Sequence, residues 1–218
     1  MNSKKFMIVP LACCLLLASC FGFSADITLN ANGTGIIVLE YRISQALDAL
    51  GRLDGNARWN TIPVGRADFE RTLDRLPDMR LLSFSSRQDE RDIIVSARME
   101  FSSIQGLLAF LDASDQRAVF TGTPASGSLV FTLSEGTPDE PTDDTLAALI
   151  ALISEGYAVA LSMTFPGQGS LTLRDGQNLP LAEIPGSEIN ASGRRVSASF
   201  PLYEVLAAAG GINLEFRW

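Results

Sequence analysis

The chain has 218 residues, with 17 basic against 25 acidic side chains, a formal charge of −8, and no histidine. Without histidine, the commonest general base, the commonest zinc ligand and every Ser-His or Cys-His nucleophile are excluded. The acidic balance argues against nucleic acid as a partner, and the length suits one sizeable domain or two small ones.

Lys4 and Lys5 open the chain, Phe6–Leu17 is almost all apolar, and Leu17-Ala18-Ser19-Cys20 closes the segment. A basic start, an apolar stretch shorter than the roughly 20 residues of a spanning helix, and small residues before a cleavage point make an export signal over residues 1–19. Leu-Ala-Ser-Cys resembles the bacterial lipobox. The resemblance implies cleavage between Ser19 and Cys20, with acyl chains on the sulfur and nitrogen of Cys20, palmitate among them. Two or more chains give stable anchoring where one does not, at about 0.8 kcal/mol per buried methylene. Residues 20–25 read as the lipidated cysteine and a short tether. Phe21 is not the aspartate that retains lipoproteins in the inner membrane of enteric bacteria. That favours the outer membrane, with the domain in the periplasm or elsewhere outside the cytoplasm.

Loss of residues 1–19 takes both lysines and no acid, leaving 199 residues with 15 arginines, 25 acids and a formal charge of −10. Schiff-base chemistry, a Ser-Lys dyad and a phosphate-loop lysine are then excluded too. Cys13 and Cys14 leave with the signal and Cys20 is acylated, so a core and not disulfides must hold the fold.

From Asp26 the pattern predicts hairpins alternating with helices. Asp26–Asn30 and Gly35–Ile43 flank the turn Ala31-Asn32-Gly33-Thr34, and Ser44 caps a helix carrying Leu47, Leu50 and Leu53. A helix over Arg66–Leu76 follows, then a hairpin of Arg80–Arg87 with Asp92–Phe101. Ser102 or Ser103 caps a helix bearing Ile104, Leu107, Leu108 and Leu111. Ala118–Thr121 pairs with Ser128–Leu133, and an acidic loop over Gly136–Pro141, the best candidate for a subdomain border, leads into a helix over Thr142–Glu155. Strands follow at Tyr157–Phe165, Ser170–Arg174, Ser187–Asn190 and Arg194–Phe200. A helix opened by Pro201 precedes an alternating strand that ends at Trp218. Two strands and a helix, four times over, predict an α+β domain over residues 26–218: an antiparallel sheet of hairpins with helices packed on one face.

Few constellations carry chemistry. Gly33-Thr34-Gly35 lacks a lysine and precedes a strand, so it reads as a turn and not a phosphate cradle. Asp139, Glu140, Asp143 and Asp144 lack calcium-loop spacing and suit a helix N-terminus. Asp89, Glu90 and Asp92 sit at a hairpin tip open to solvent, and Glu40 and Glu100 lie opposite the apolar stripes. Paired carboxylates are the only acid–base chemistry left, as in a hydrolase, and nothing singles out a pair. Arg194-Arg195 is an anion clamp, or is solvated or paired with Glu183 or Glu188. No catalytic residue, metal site or cofactor is expected. Leu146–Ile153 is apolar nearly all round, so it is a buried helix, or it lines a lipid-sized pocket through Leu146, Leu149, Ile150 and Ile153 or contacts the membrane beneath it.

Three stretches resemble the LppM-like bacterial lipoproteins: Asp26–Tyr41 (DITLNANGTGIIVLEY) directly after the lipobox, Leu161–Gly167 (LSMTFPG), and Arg194–Phe200 after Asn190–Gly193. The chain departs from that family in a helical insertion at Arg66–Leu76 and in reading no membrane helix after the domain. The resemblance implies an envelope-anchored α+β domain without known catalytic residues and suggests a lipid- or glycolipid-binding role. The expectation is therefore a non-enzymatic lipoprotein that binds an amphipathic ligand at the bilayer surface. Its rival is a module that assembles with other envelope proteins, and a carboxylate hydrolase ranks third.

Overall fold

The computed structural model describes residues 21–45, 64–112, 117–136, 148, 150–152, 154–181 and 183–218. Its strands are β1 (Phe21–Leu29), β2 (Gly35–Ser44), β3 (Met79–Gln88), β4 (Asp92–Phe101), β5 (Ala118–Thr123) and β6 (Ser126–Ser134). They continue as β7 (Ala158–Thr164), β8 (Ser170–Arg174), β9 (Glu188–Ser192), β10 (Arg195–Pro201) and β11 (Ile212–Arg217). Three helices have defined bounds: α1 (Arg66–Leu73), α2 (Ile104–Leu111) and α3 (Leu202–Ala207). The described residues between 148 and 154 are helical as well.

The strands form two sheets, one ordered β3-β4-β2-β1-β7-β10-β9 and the other β5-β6-β11-β8. Every pairing is antiparallel except β1 with β7. This corrects the expected α+β layering: the architecture is mostly β, a sandwich-like packing of two sheets, and not a sheet covered by helices. The reason is one of dimensions. An eight-residue helix such as α1 or α2 is about 12 Å long, whereas seven strands at about 4.8 Å spacing span close to 30 Å. No single such helix covers that face; the four-stranded sheet packs on it and shares its buried apolar cluster. The helices instead close its flanks: α1 packs on β3, α2 bridges β3 and β4 to β5, and α3 lies against β10 and β6.

Local chemistry explains why the elements start and stop where they do. Ser103 Oγ caps α2 by accepting from the Gly106 N–H at 3.0 Å, satisfying one of the orphan donors of the first turn. Gly33, at φ 86°, turns β1 into β2, while Asn32 Oδ1 accepts from the Thr34 N–H at 3.2 Å. Gly35 admits no larger residue, because a Cβ there would stand 2.0 Å from the Thr28 carbonyl oxygen and 2.3 Å from Phe101 Cζ. Gly33-Thr34-Gly35 is accordingly a hairpin corner.

One continuous cluster of buried apolar side chains joins the two sheets. Ile27, Ile37, Met99, Met163, Val196 and Phe200 come from the larger sheet, and Leu129, Leu173, Leu214 and Phe216 from the smaller. Phe165, just past β7, seals the junction. Its ring lies 4.7 Å from that of Trp218, stacked, and 6.1 Å from that of Phe216. Trp218 in turn donates Nε1–H to the Pro124 carbonyl at 2.9 Å. The core thus runs across sequence on both sides of the border expected at 136–141.

β1 already begins at Phe21, so residues 21–25, expected as tether, form the first half of a strand paired to β2 and, from Phe23, to β7.

Candidate functional site

Among the described residues, β8 is at the edge of the smaller sheet and β9 at the edge of the larger. A groove of about 770 Å³ lies between them, within the roughly 300–1,000 Å³ range of small-molecule clefts. Leu171 and Leu173 of β8, Ile189 of β9, and Pro180 and Leu181 of the intervening loop give it apolar walls. Thr172, Glu183, Ser187, Glu188 and Asn190 supply its polar groups. Ile189 and Leu179 beside it are 42% and 57% exposed, adding apolar surface to its rim.

The loop that walls the groove is held in place before any ligand arrives. Leu181 N–H donates to the Leu173 carbonyl at 3.0 Å, and Asp175 Oδ1 accepts from the N–H groups of Gln177 and Leu179 at 2.9 and 2.8 Å. Arg174 reaches both ways: Nη1 donates to the Asn178 carbonyl at 3.0 Å and Nε to Glu215 Oε2 at 2.7 Å. Arg217 donates to the other Glu215 oxygen from Nε at 2.7 Å. The Arg174 hydrogen bond, with Arg217 adding to it, holds the Glu215 carboxyl below the usual range against the opposing effect of its burial. Asn178, at φ 65°, takes the left-handed corner that asparagine tolerates better than most residues.

A smaller hollow of about 190 Å³ continues from the groove over the outer face of β1, β7 and β10, sharing Glu188 and Asn190 with it. Its floor is small and hydroxylated: Ser24, Ser162, Ser197 and Ser199. Arg195 lines it but is committed to Asp26 at 2.7 Å. Arg194 donates Nε–H to the Phe165 carbonyl at 2.6 Å. The two arginines therefore form neither a joint anion clamp nor the expected pairs with Glu183 or Glu188.

The other sequence-derived candidates fall as follows. Ser19 and Cys20, the expected cleavage and lipidation residues, lie outside the described residues, as do Leu146, Leu149, Ile153, Trp59 and the acids 139–144. Ile150 is half-buried, and Leu152, two residues on, is 66% exposed, so that part of the helix is not enclosed all round. Glu100 pairs with Arg80 at 2.5 Å, and Glu40 accepts from Ser96 Oγ at 3.2 Å. Asp89 accepts the N–H groups of Asp92 and Arg91 at 2.7 and 2.9 Å, which together hold its carboxyl below the usual range. Asp92 is not the solvent-screened acid that its place at the tip implied. It is 6% exposed and accepts from the Tyr157 hydroxyl.

The groove itself escaped sequence reading, because it is made by edges of two different sheets and has no contiguous motif. One faint signal was present: Ile189 is a lone large apolar residue in a strand otherwise polar or small, and all five residues of that strand are exposed.

This is a sandwich-like β fold with a half-apolar groove between β8 and β9, whose described lining carries Glu183, Glu188 and Asn190 and no cation. Such a surface can hold a hydrocarbon chain against leucine and isoleucine and offer acceptors to hydroxyl or ammonium donors. No protein-family model matches the chain, and no curated protein does.

Proposed function

We propose that this chain is a non-enzymatic bacterial lipoprotein, anchored through acylated Cys20, whose β-sandwich binds an amphiphile in the groove between β8 and β9. The observation that carries this reading is the groove's division of labour: Leu171, Leu173 and Ile189 on one hand, Glu183, Glu188 and Asn190 on the other. Its chemistry favours a head group rich in hydroxyls or bearing an amine, as in a glycolipid. Among the described lining residues a phosphate would meet Glu183 and Glu188, while Arg195 of the adjoining hollow is committed to Asp26. The lipobox supports the same class, with the outer membrane as the expected address; the α+β fold that the LppM-like resemblance implies is not the one found, so that resemblance adds nothing here.

Native mass spectrometry of the mature chain from cells, followed by solvent extraction, tests it. The expected result is a near-stoichiometric lipid that is lost in Ile189→Asp, which puts a charge on the apolar wall. A clean apo mass for the unsubstituted chain overturns the reading. One observation favours a second: among the described residues β9 is a sheet edge exposed along its whole length, the kind of surface to which a partner's extended segment adds as a further strand. An apo mass together with cross-links from β9 to another envelope protein would establish that assembly role instead.

A further inference from the structure

The start of β1 fixes which end of the domain an anchor at Cys20 would hold down. Phe21 is the residue after Cys20 and already pairs with Ile43, so no slack separates acyl chains from sheet. The same end carries the close of β2, the β3–β4 tip at Gln88–Asp92, and the entry to β7 at Tyr157. Tyr157 packs beside Gly22, and the helical residues leading into it carry the exposed Leu152.

The groove lies low on the same scale. Ser24 pairs with Ala160, Ala160 with Ser199, and Ser199 with Glu188, one continuous row across the sheet. That row starts three residues beyond Phe21, about 10 Å at about 3.3 Å per residue. Gly186, just before β9, sits lower still, its Cβ position 3.1 Å from Pro201, which pairs with Ala158. The β1–β2 turn, by contrast, is more than eight residues away, beyond about 26 Å.

We infer that the bilayer seats against the Phe21 end of the larger sheet, so that the rim at Ser187 and Glu188 stands at head-group height and the groove takes its amphiphile directly from the leaflet holding the anchor. This rests on acylation of Cys20 as proposed above. The tip carries both signs, Arg87 and Arg91 with Asp89 and Glu90, so covalent geometry and not net attraction sets the orientation.

Once Cys20 is acylated and Cys13 and Cys14 are cleaved off, the chain has no other thiol. Single-cysteine variants Leu152→Cys, Ser187→Cys and Ala31→Cys of the mature protein can therefore be labelled cleanly with a fluorophore. They are reconstituted into phosphatidylcholine vesicles with or without brominated acyl chains. Labels at 152 and 187 are expected to lose fluorescence to the brominated lipid, while the label at 31, in the far turn, keeps it. Vesicle-bound protein in which 31 is quenched, or in which none of the three is, overturns the orientation alone. A chain that carries no acyl mass and does not float with vesicles overturns the anchor itself.

Discussion

The Tyr157 hydroxyl donates to Asp92 Oδ1 at 2.7 Å, with both residues less than a tenth exposed. It joins the β3–β4 tip to the entry of β7 across three intervening strand pairings, and Arg91 caps it with its guanidinium 5.3 Å from the tyrosine ring centre. Removing only the hydroxyl leaves a buried carboxylate short of a donor. Tyr157→Phe is thus expected to cost about 1–3 kcal/mol, read as a lower midpoint in urea with an unchanged slope. A variant as stable as the parent would mean that water replaces the hydroxyl at no cost.

Phe165 carries a heavier share of the packing. It is fully buried between the sheets, against Trp218 and Phe216. Truncation to alanine forfeits both the transfer energy and the contacts lining the cavity, about 3–5 kcal/mol. If the sheets formed separate units, Phe165→Ala would lower one of two melting transitions; a single core predicts one transition shifted as a whole.

Much of this architecture was legible locally and little of it globally. Alternation placed β3, β4, β8 and β10 within a residue or so of where they lie, and the α2 cap was readable as Ser102 or Ser103, of which Ser103 is the one. These are signals that a side chain and its near neighbours generate alone. Layering was misread because the amphipathic stripe of α2 looks the same whether it covers a sheet or plugs a flank. What decides is the small sheet centred on β11, whose pairing with β6 and β8 depends on residues far apart in sequence. Asp92 was misread for a similar reason: its hairpin position is local, but the tyrosine that buries it arrives 65 residues later. The expected helices over Leu47–Leu53 and over most of Thr142–Glu155 lie outside the described residues.

If Cys20 is acylated as proposed, it sets where the protein resides. Cys20→Ala is expected to leave the domain folded and to move it from the detergent phase to the aqueous phase on temperature-induced separation. Two acyl chains contribute far more membrane affinity than the exposed Leu152 can replace. Partition into detergent that persists in the variant would show that the lipobox reading is wrong.

Glu215 links stability to pH and to the groove. It is 7% exposed and bonded to Arg174, which also holds the Asn178 carbonyl of the groove-walling loop. Glu215→Gln keeps the shape and removes the charge. Arg217 stays open to water and retains its solvation, so the expected loss at neutral pH is about 2 kcal/mol. The folded carboxyl titrates below the ordinary value of 4.5 because Arg174 and Arg217 favour its charged form. Its contribution is therefore complete above that value, declines as pH falls through the depressed folded value, and is gone below it. Urea unfolding of parent and variant at about pH 7 and again well below the carboxylate range should show the gap between them closing in acid. A gap of constant size would mean that the glutamate acts through its shape and not its charge. A gap that closes while ligand binding also weakens in the variant at neutral pH would tie this ion pair to the groove it braces.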